Sequence, residues 1–274
     1  MPKVKVNDIE MYYEVKGEGP KLCFISGSYG DLRRKPNVFD SPLANHFKIL
    51  AFDQRGLGQS SKPDKPYSMV DYANDASGLM EALNWDSAHV MGRSFGGMVA
   101  QELSIRHPEK IEKLVIACSS TGGAGGSSFP IHELSDLSYE EAARRWIGVL
   151  DNRLDDAWRR ENSEEYKHRI IEFAEEMHDL LGDVGSEKRM GVVRQLEARI
   201  GHNTYSRVHL INAPTFICGG KYDSQAPPSN LENMHRLIPN SKLEFFEGGH
   251  GFLSQDPKAY DKIIAPPTHT ERER

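Results

Sequence analysis

The sequence predicts an α/β protein built on a mostly parallel sheet, and three observations carry that prediction. Short apolar runs alternate with longer stretches of helical apolar spacing. The runs are continuous rather than alternating, as in strands covered on both faces. One of them, Ala88-His89-Val90-Met91, passes through Gly92-Arg93-Ser94-Phe95-Gly96 directly into a helical pattern, Met98-Val99-Ala100-Gln101-Glu102-Leu103. At 274 residues the chain can bury a large single core and carry an insertion besides.

The elements follow in order. Val4–Val6 and Met11–Val15 read as strands, with a turn at Gly17-Glu18-Gly19-Pro20, and predict an antiparallel start to the sheet. Leu22–Ile25 is the next strand. Helices are expected over Tyr67–Leu83 and Phe95–His107, and a strand over Lys113–Cys118. From the glycine run Gly122-Gly123-Ala124-Gly125-Gly126 to about Val208 there is no strand signal. This stretch is charged and helical, with segments at Tyr139–Leu150, Asp155–Leu181 and Glu187–Ile200, and the glycines suggest a flexible entrance to it. Ala213–Cys218 and Lys242–Phe246 resume the strands, with helices at Ser229–Ile238 and Pro257–Ile264. The Pro-, Thr- and charge-rich tail, 266–274, is expected to be disordered.

Gly-x-Ser-x-Gly between a strand and a helix is a nucleophile elbow. The sharp turn strains the serine backbone, and glycines on both sides let strand and helix approach closely. It projects Ser94 Oγ from the sheet edge and aims the free N–H groups of a helix start at the same place. A serine hydroxyl needs a base, and the base needs a carboxylate to fix its tautomer. Asp223 follows the strand Ala213–Cys218, on the edge where parallel sheets place their sites, although an Asp there also suits a turn or a helix cap. The end of Lys113–Cys118 offers only Ser119, Ser120 and Thr121. Of the eleven histidines, His250 lies in Gly248-Gly249-His250-Gly251, a loop able to carry the imidazole over the sheet edge. His107 ends a helix before Pro108, His168 and His178 sit in charged helix, and His89 reads as a core histidine within a strand.

These residues, with the loop Asp53-Gln54-Arg55-Gly56-Leu57-Gly58-Gln59-Ser60, resemble the α/β-hydrolase-fold superfamily over nearly the whole chain, and within it the 3-oxoadipate enol-lactonase and cofactor-free perhydrolase group. The resemblance implies an eight-stranded, mostly parallel sheet with helices on both faces and a helical cap inserted after strand 6. The core would comprise residues 1–122 and 209–265, and the cap residues 123–208. It implies a catalytic triad of Ser94, Asp223 and His250, and an oxyanion hole from the N–H groups of Ser28 and Phe95. Gly27, Tyr29 and Trp146 become candidate substrate contacts, and Trp158, Phe173 and Met177 candidate pocket lining. Asp53 and Arg55 would fix their loop beneath the site. Where members commonly have His-Gly after the third strand, this chain has Ser26-Gly27, which leaves the support of that loop open. Arg93 is read as a structural ion-pair partner.

Other classes are excluded. A net charge of −6 opposes nucleic-acid binding. Gly56 and Gly58 lack the third glycine and downstream acid of a dinucleotide site. There is no apolar stretch of about 20 residues and no apolar h-region after Met1-Pro2-Lys3, so a cytoplasmic, non-membrane protein is expected. Cys23, Cys118 and Cys218 fall in strands and predict reduced core thiols rather than a disulfide or metal site. The expectation is hydrolysis of a small-molecule ester or lactone through an acyl-serine, without cofactor or metal. Homo-oligomerisation is left open. The same triad also suits carbon–carbon bond hydrolysis, aminopeptidase action or a slow small-molecule receptor.

Overall fold

The computed structural model describes residues 2–266. Strands β1 (Lys3–Val6) and β2 (Ile9–Lys16) form the antiparallel opening, joined by a tight turn in which Asn7 takes φ +50°. β3 (Lys21–Ile25) and β4 (Lys48–Phe52) follow. β2 runs antiparallel to β4, and β3 is parallel to both β4 and β5 (Ala88–Arg93). With β6 (Ile111–Ala117), β7 (Thr215–Gly220) and β8 (Ser241–Phe246), the order across the sheet is β1-β2-β4-β3-β5-β6-β7-β8.

Helix α1 (Met69–Ala82) starts two residues later than the periodicity suggests because Ser68 is its N-cap, in a reciprocal capping box with Asp71. β5 (Ala88–Arg93) leads into α2 (Phe95–Arg106), which stops at His107, the residue before a proline. β6 (Ile111–Ala117) closes the first half of the chain. Successive residues of β5 enter different cores: Val90 packs with Leu79, Phe95 and Val99 on one face, and Met91 with Phe216 and Phe252 on the other. Phe95 is fully buried and meets Tyr72 edge-on at 5.0 Å. Burying such a ring stabilises the fold by ~1.5–3 kcal/mol. His89 lies at the other end of β5, half-buried beside Glu112 and edge-on to Phe47, and not in the core as expected.

Between β6 and β7 lies a helical insertion of α3 (Tyr139–Leu150), α4 (Asp156–Glu161), α5 (Ser163–Leu181) and α6 (Glu187–Ile200). The single helix expected over Asp155–Leu181 is broken at Asn162. There the backbone leaves helical geometry, and both the N–H and the side-chain amide donate to the Trp158 oxygen, ending α4. The insertion has its own apolar cluster around Trp146, Met177, Leu181 and Leu196, which also takes in Tyr29 and Leu57 from below. At one point the two backbones touch: a Cβ built on Gly191 of α6 would lie 1.9 Å from the Gly56 oxygen. The glycine run is tied down in part, with Gly122 and Gly125 buried and Gly123 and Ala124 exposed. Asn233 Nδ2 donates to the Gly125 oxygen at 3.0 Å, and Thr204 N donates to the Thr121 oxygen at 2.8 Å.

β7 (Thr215–Gly220), α7 (Pro228–Leu237), β8 (Ser241–Phe246), α8 (Phe252–Gln255) and α9 (Lys258–Ile264) complete the fold, with β5 through β8 parallel. Of the expected tail only Pro266 is among the described residues.

Candidate active site

The strained backbone that the elbow requires is present: Ser94 has φ +55° and ψ −118° at the junction of β5 and α2. A Cβ on Gly92 would lie 2.2 Å from the Gly96 oxygen, and one on Gly96 would lie 2.0 Å from the Ile25 oxygen, so only glycine fits either place. The turn is pinned from β6. Ser94 N donates to the Ala117 oxygen at 2.8 Å, and Ser119 Oγ donates to the Ser94 oxygen at 2.9 Å.

Loops after β7 and β8 bring the other two residues to the serine. His250 Nε2 is 2.9 Å from Ser94 Oγ, and His250 Nδ1 is 2.8 Å from Asp223 Oδ2. Asp223 and His250 are buried, while Ser94 is partly open. The carboxylate of Asp223 makes two kinds of contact: Oδ2 faces the imidazole, and Oδ1 accepts the N–H groups of Gln225 and Ala226, each at 2.8 Å. With both carboxylate oxygens engaged, the imidazole that donates from Nδ1 has its Nε2 lone pair available on the serine side.

The loop after β3 runs past the serine. Gly27 lies against it, since a Cβ there would be 3.4 Å from Ser94 Cβ. Ser28 and Tyr29 follow, with Tyr29 at φ +64°. Three side chains hold this loop. Gln54 Nε2 donates to the Ser26 oxygen at 2.9 Å, Asp53 Oδ1 accepts Leu32 N at 2.9 Å, and Gln195 Oε1 of α6 accepts Tyr29 N at 3.0 Å. Asp53 also accepts Gln59 N and pairs with Arg33, while Arg55 pairs with Asp75 and Asp8, fixing the loop after β4 beneath the site. Phe95 N is the first N–H of α2 and so has no partner within its helix.

Trp146 is buried in the insertion, edge-on to Tyr29 at 6.0 Å. Its indole N–H donates to Gln225 Oε1 at 2.6 Å, and Gln225 Nε2 is 2.9 Å from His250 Nε2. A groove of ≈ 740 Å³ opens beside His250, lined by Ile147, Trp158, Phe173 and Arg93, while Met177 is buried in the cluster above. A second, of ≈ 500 Å³, runs past Gly27, Ser28, Tyr29 and Arg93. A cavity of ≈ 560 Å³ around Leu22, His89, Lys113 and Pro214 is at the opposite ends of the strands. Arg93 pairs with no carboxylate among the described residues, so the ion-pair role expected for it is not seen; it lies at both grooves, beside Cys118. Cys118 Sγ lies within 4.8 Å of the Asp223 and His250 ligand atoms. Burial pushes that thiol up to about 12, and the other two groups are already bonded to each other, so the trio does not make a ready cation site. Cys23 and Cys218 are likewise free and buried.

Sequence reasoning missed Gln54, Ser119, Gln195 and Gln225. Gln225 lies two residues after Asp223 and Gln54 next to Asp53, but an amide carries no motif of its own. Only the three-dimensional placement gives either a role.

The family described as alpha/beta hydrolase fold matches residues 20–257. The chain belongs to that family and is a hydrolase of this fold. It is 27% identical over 242 residues to a poly(3-hydroxyalkanoate) depolymerase from Ectopseudomonas oleovorans, covering 86% of this chain and 80% of that one. It is 27% identical over 271 residues to the putative carbamate hydrolase RutD of Serratia proteamaculans, covering 93% and 94%. The enol-lactonase from Burkholderia xenovorans LB400 has the same fold, with a TM-score of 0.71 at 21% identity over 96% of each chain. A hydrolase from Pseudomonas aeruginosa PA01 reaches 0.75 at 23% identity, over 97% of this chain and 98% of that one. Among the described residues no helix is long and apolar enough to cross a membrane.

Proposed function

We propose that this hydrolase cleaves a carboxylic ester or lactone of a small molecule through an acyl-serine intermediate. The observation that carries the reading is the continuous line Asp223–His250–Ser94, at 2.8 and 2.9 Å, ending on a serine in elbow geometry. Ser94 Oγ attacks the carbonyl carbon as its proton passes to His250 Nε2. Asp223 keeps the other imidazole N–H directed and stabilises the imidazolium. The carbonyl oxygen becomes an oxyanion held by the N–H groups of Ser28 and Phe95, each such donor being worth ~3 kcal/mol in the transition state. His250 returns the proton to the leaving alkoxide, then activates the water that releases the acid. The insertion acts as a cap, with Trp158 and Phe173 set beside the charged side chains of Arg169 and Glu172 along the groove offered to the substrate. The names of two relatives, a depolymerase of poly(3-hydroxyalkanoate) and an enol-lactonase, agree with an ester or lactone bond. This chemistry calls for neither cofactor nor nucleic acid.

The test is release of 4-nitrophenol from acetate, butyrate and octanoate esters, with a set of simple lactones followed by pH-stat, comparing wild type with Ser94→Ala. Turnover that disappears in the variant is expected. A wild-type rate no greater than that of Ser94→Ala on every ester and lactone would sink the proposal.

A further inference from the structure

His250 Nε2 has two neighbours within hydrogen-bond distance, Ser94 Oγ at 2.9 Å and Gln225 Nε2 at 2.9 Å. The second is unusual, because a neutral imidazole nitrogen offers one lone pair. Which end of the Gln225 amide faces the histidine is decided by Trp146. An indole N–H can only donate, and it lies 2.6 Å from the amide oxygen, so the NH₂ group must turn to His250. The rest of Gln225 is equally constrained: its N–H donates to Asp223 Oδ1, and its carbonyl accepts Phe129 N, each at 2.8 Å. The side chain is buried, with no water-facing alternative for either end.

We infer that Gln225 is a positioning residue acting through His250, and that Trp146 of the insertion sets it. In this arrangement the amide N–H shares the lone pair that must take the serine proton. Once Nε2 carries that proton, two donors face each other, so the amide disfavours the imidazolium and must draw back as the proton moves from Ser94 Oγ to His250 Nε2. If Trp146 moves away, the amide is free to turn. Its oxygen can then accept from the protonated nitrogen and favour the form it previously opposed. The insertion thereby governs how readily the base accepts a proton. The other groups facing the imidazole are Asp223 on the Nδ1 side, the neutral thiol of Cys118, and Arg93 at the groove; Asp151, at the end of α3 against Gly249, is itself paired with Arg153.

This inference takes His250 as the base in the proposed reaction, but its test does not depend on turnover. Gln225→Met, Trp146→Phe and the double variant are compared with wild type by following the ¹⁵N signals of the His250 ring across pH, alongside the pH profile of kcat/KM on 4-nitrophenyl butyrate. In Gln225→Met the midpoint of the His250 titration, and the acidic limb of the profile with it, should move up by roughly 0.5–1 pH unit, the effect of one lost hydrogen bond to the neutral form. Trp146→Phe should move them at least as far, and the double variant no further than Gln225→Met. Unmoved titration in Gln225→Met overturns the inference, whatever happens to the rate. A shift in Gln225→Met with none in Trp146→Phe overturns the part given to the insertion. Shifted ring signals in a protein that hydrolyses nothing would uphold Gln225 and refute only the ester or lactone reading.

Discussion

The main-chain N–H of Tyr29 donates to Gln195 Oε1 across 3.0 Å, joining the loop beside the serine to α6 of the insertion. Gln195 is buried, and among the described residues no other group accepts that N–H. Gln195→Leu removes that acceptor and loosens Ser28, one residue earlier, from the place it would need as an oxyanion donor in the proposed reaction. The expected outcome is a fall in kcat of ~10–100-fold with KM little changed, less than deletion of an oxyanion donor outright. Steady-state kinetics on 4-nitrophenyl butyrate checks this, and a change confined to KM would contradict it.

Asp223→Asn tests the two tasks of one carboxylate. The amide oxygen can still accept the N–H groups of Gln225 and Ala226, so the loop should fold. The NH₂ group then faces His250 Nδ1 and forces the wrong tautomer, lowering kcat by roughly 10⁴-fold. The melting temperature should stay within a few degrees of wild type, and a large fall in it would mean that the loop, not the tautomer, had failed.

Arg55 and Asp75 form a fully buried pair, with guanidinium–carboxylate distances of 2.7 and 2.9 Å. Arg55→Met leaves the buried Asp75 carboxylate, among the described residues, with only the Asn7 amide as a donor, 3.0 Å from Oδ1, and the expected loss is ~3 kcal/mol in urea unfolding. The double change Arg55→Met with Asp75→Leu should recover a good part of that loss. A single variant as stable as wild type would show that the pair contributes little.

Burial holds the imidazole of His202 down at about 4. Its Nε2 lies 2.9 Å from the Ser120 oxygen and Nδ1 has no partner among the described residues, so the folded protein keeps it neutral. The unfolded chain takes up this proton near pH 6.5 and the folded one only near pH 4. Stability from this residue is therefore full above pH 6.5 and falls as the pH drops towards 4, by up to ~3 kcal/mol. His202→Gln keeps a donor for Ser120 and cannot titrate. Its stability curve, measured by urea unfolding between pH 4 and 7, should be flatter than that of wild type by about this amount; parallel curves would rule the assignment out.

Much of this architecture is legible in the sequence because local rules dictate it. The elbow is written in Gly92 and Gly96, where any side chain would collide with backbone, and the order of Ser94, Asp223 and His250 follows that of the strands whose ends carry them. The antiparallel start and the helices of the insertion come from periodicity, a property of neighbouring residues. The break at Asn162 escaped because an amide that turns back on its own helix looks, in a list of residues, like any polar helical position. Gln54, Gln195 and Gln225 escaped for a different reason. Each matters through a partner far along the chain, and a neutral amide leaves no charge pattern or spacing to mark it. Arg93 shows the converse: an arginine in sequence suggests an ion pair, and among the described residues no carboxylate pairs with it.

The contact of Gly56 with Gly191 has a consequence for how such a chain can vary. The two positions are more than a hundred residues apart, one in the loop after β4 and one in the insertion, yet neither has room for a side chain beside the other's carbonyl. A side chain at either one must displace the other's backbone, so the seat of α6 on the loop after β4 is set by the pair and a graft of a foreign insertion should sit unchanged only if it brings a glycine to this contact.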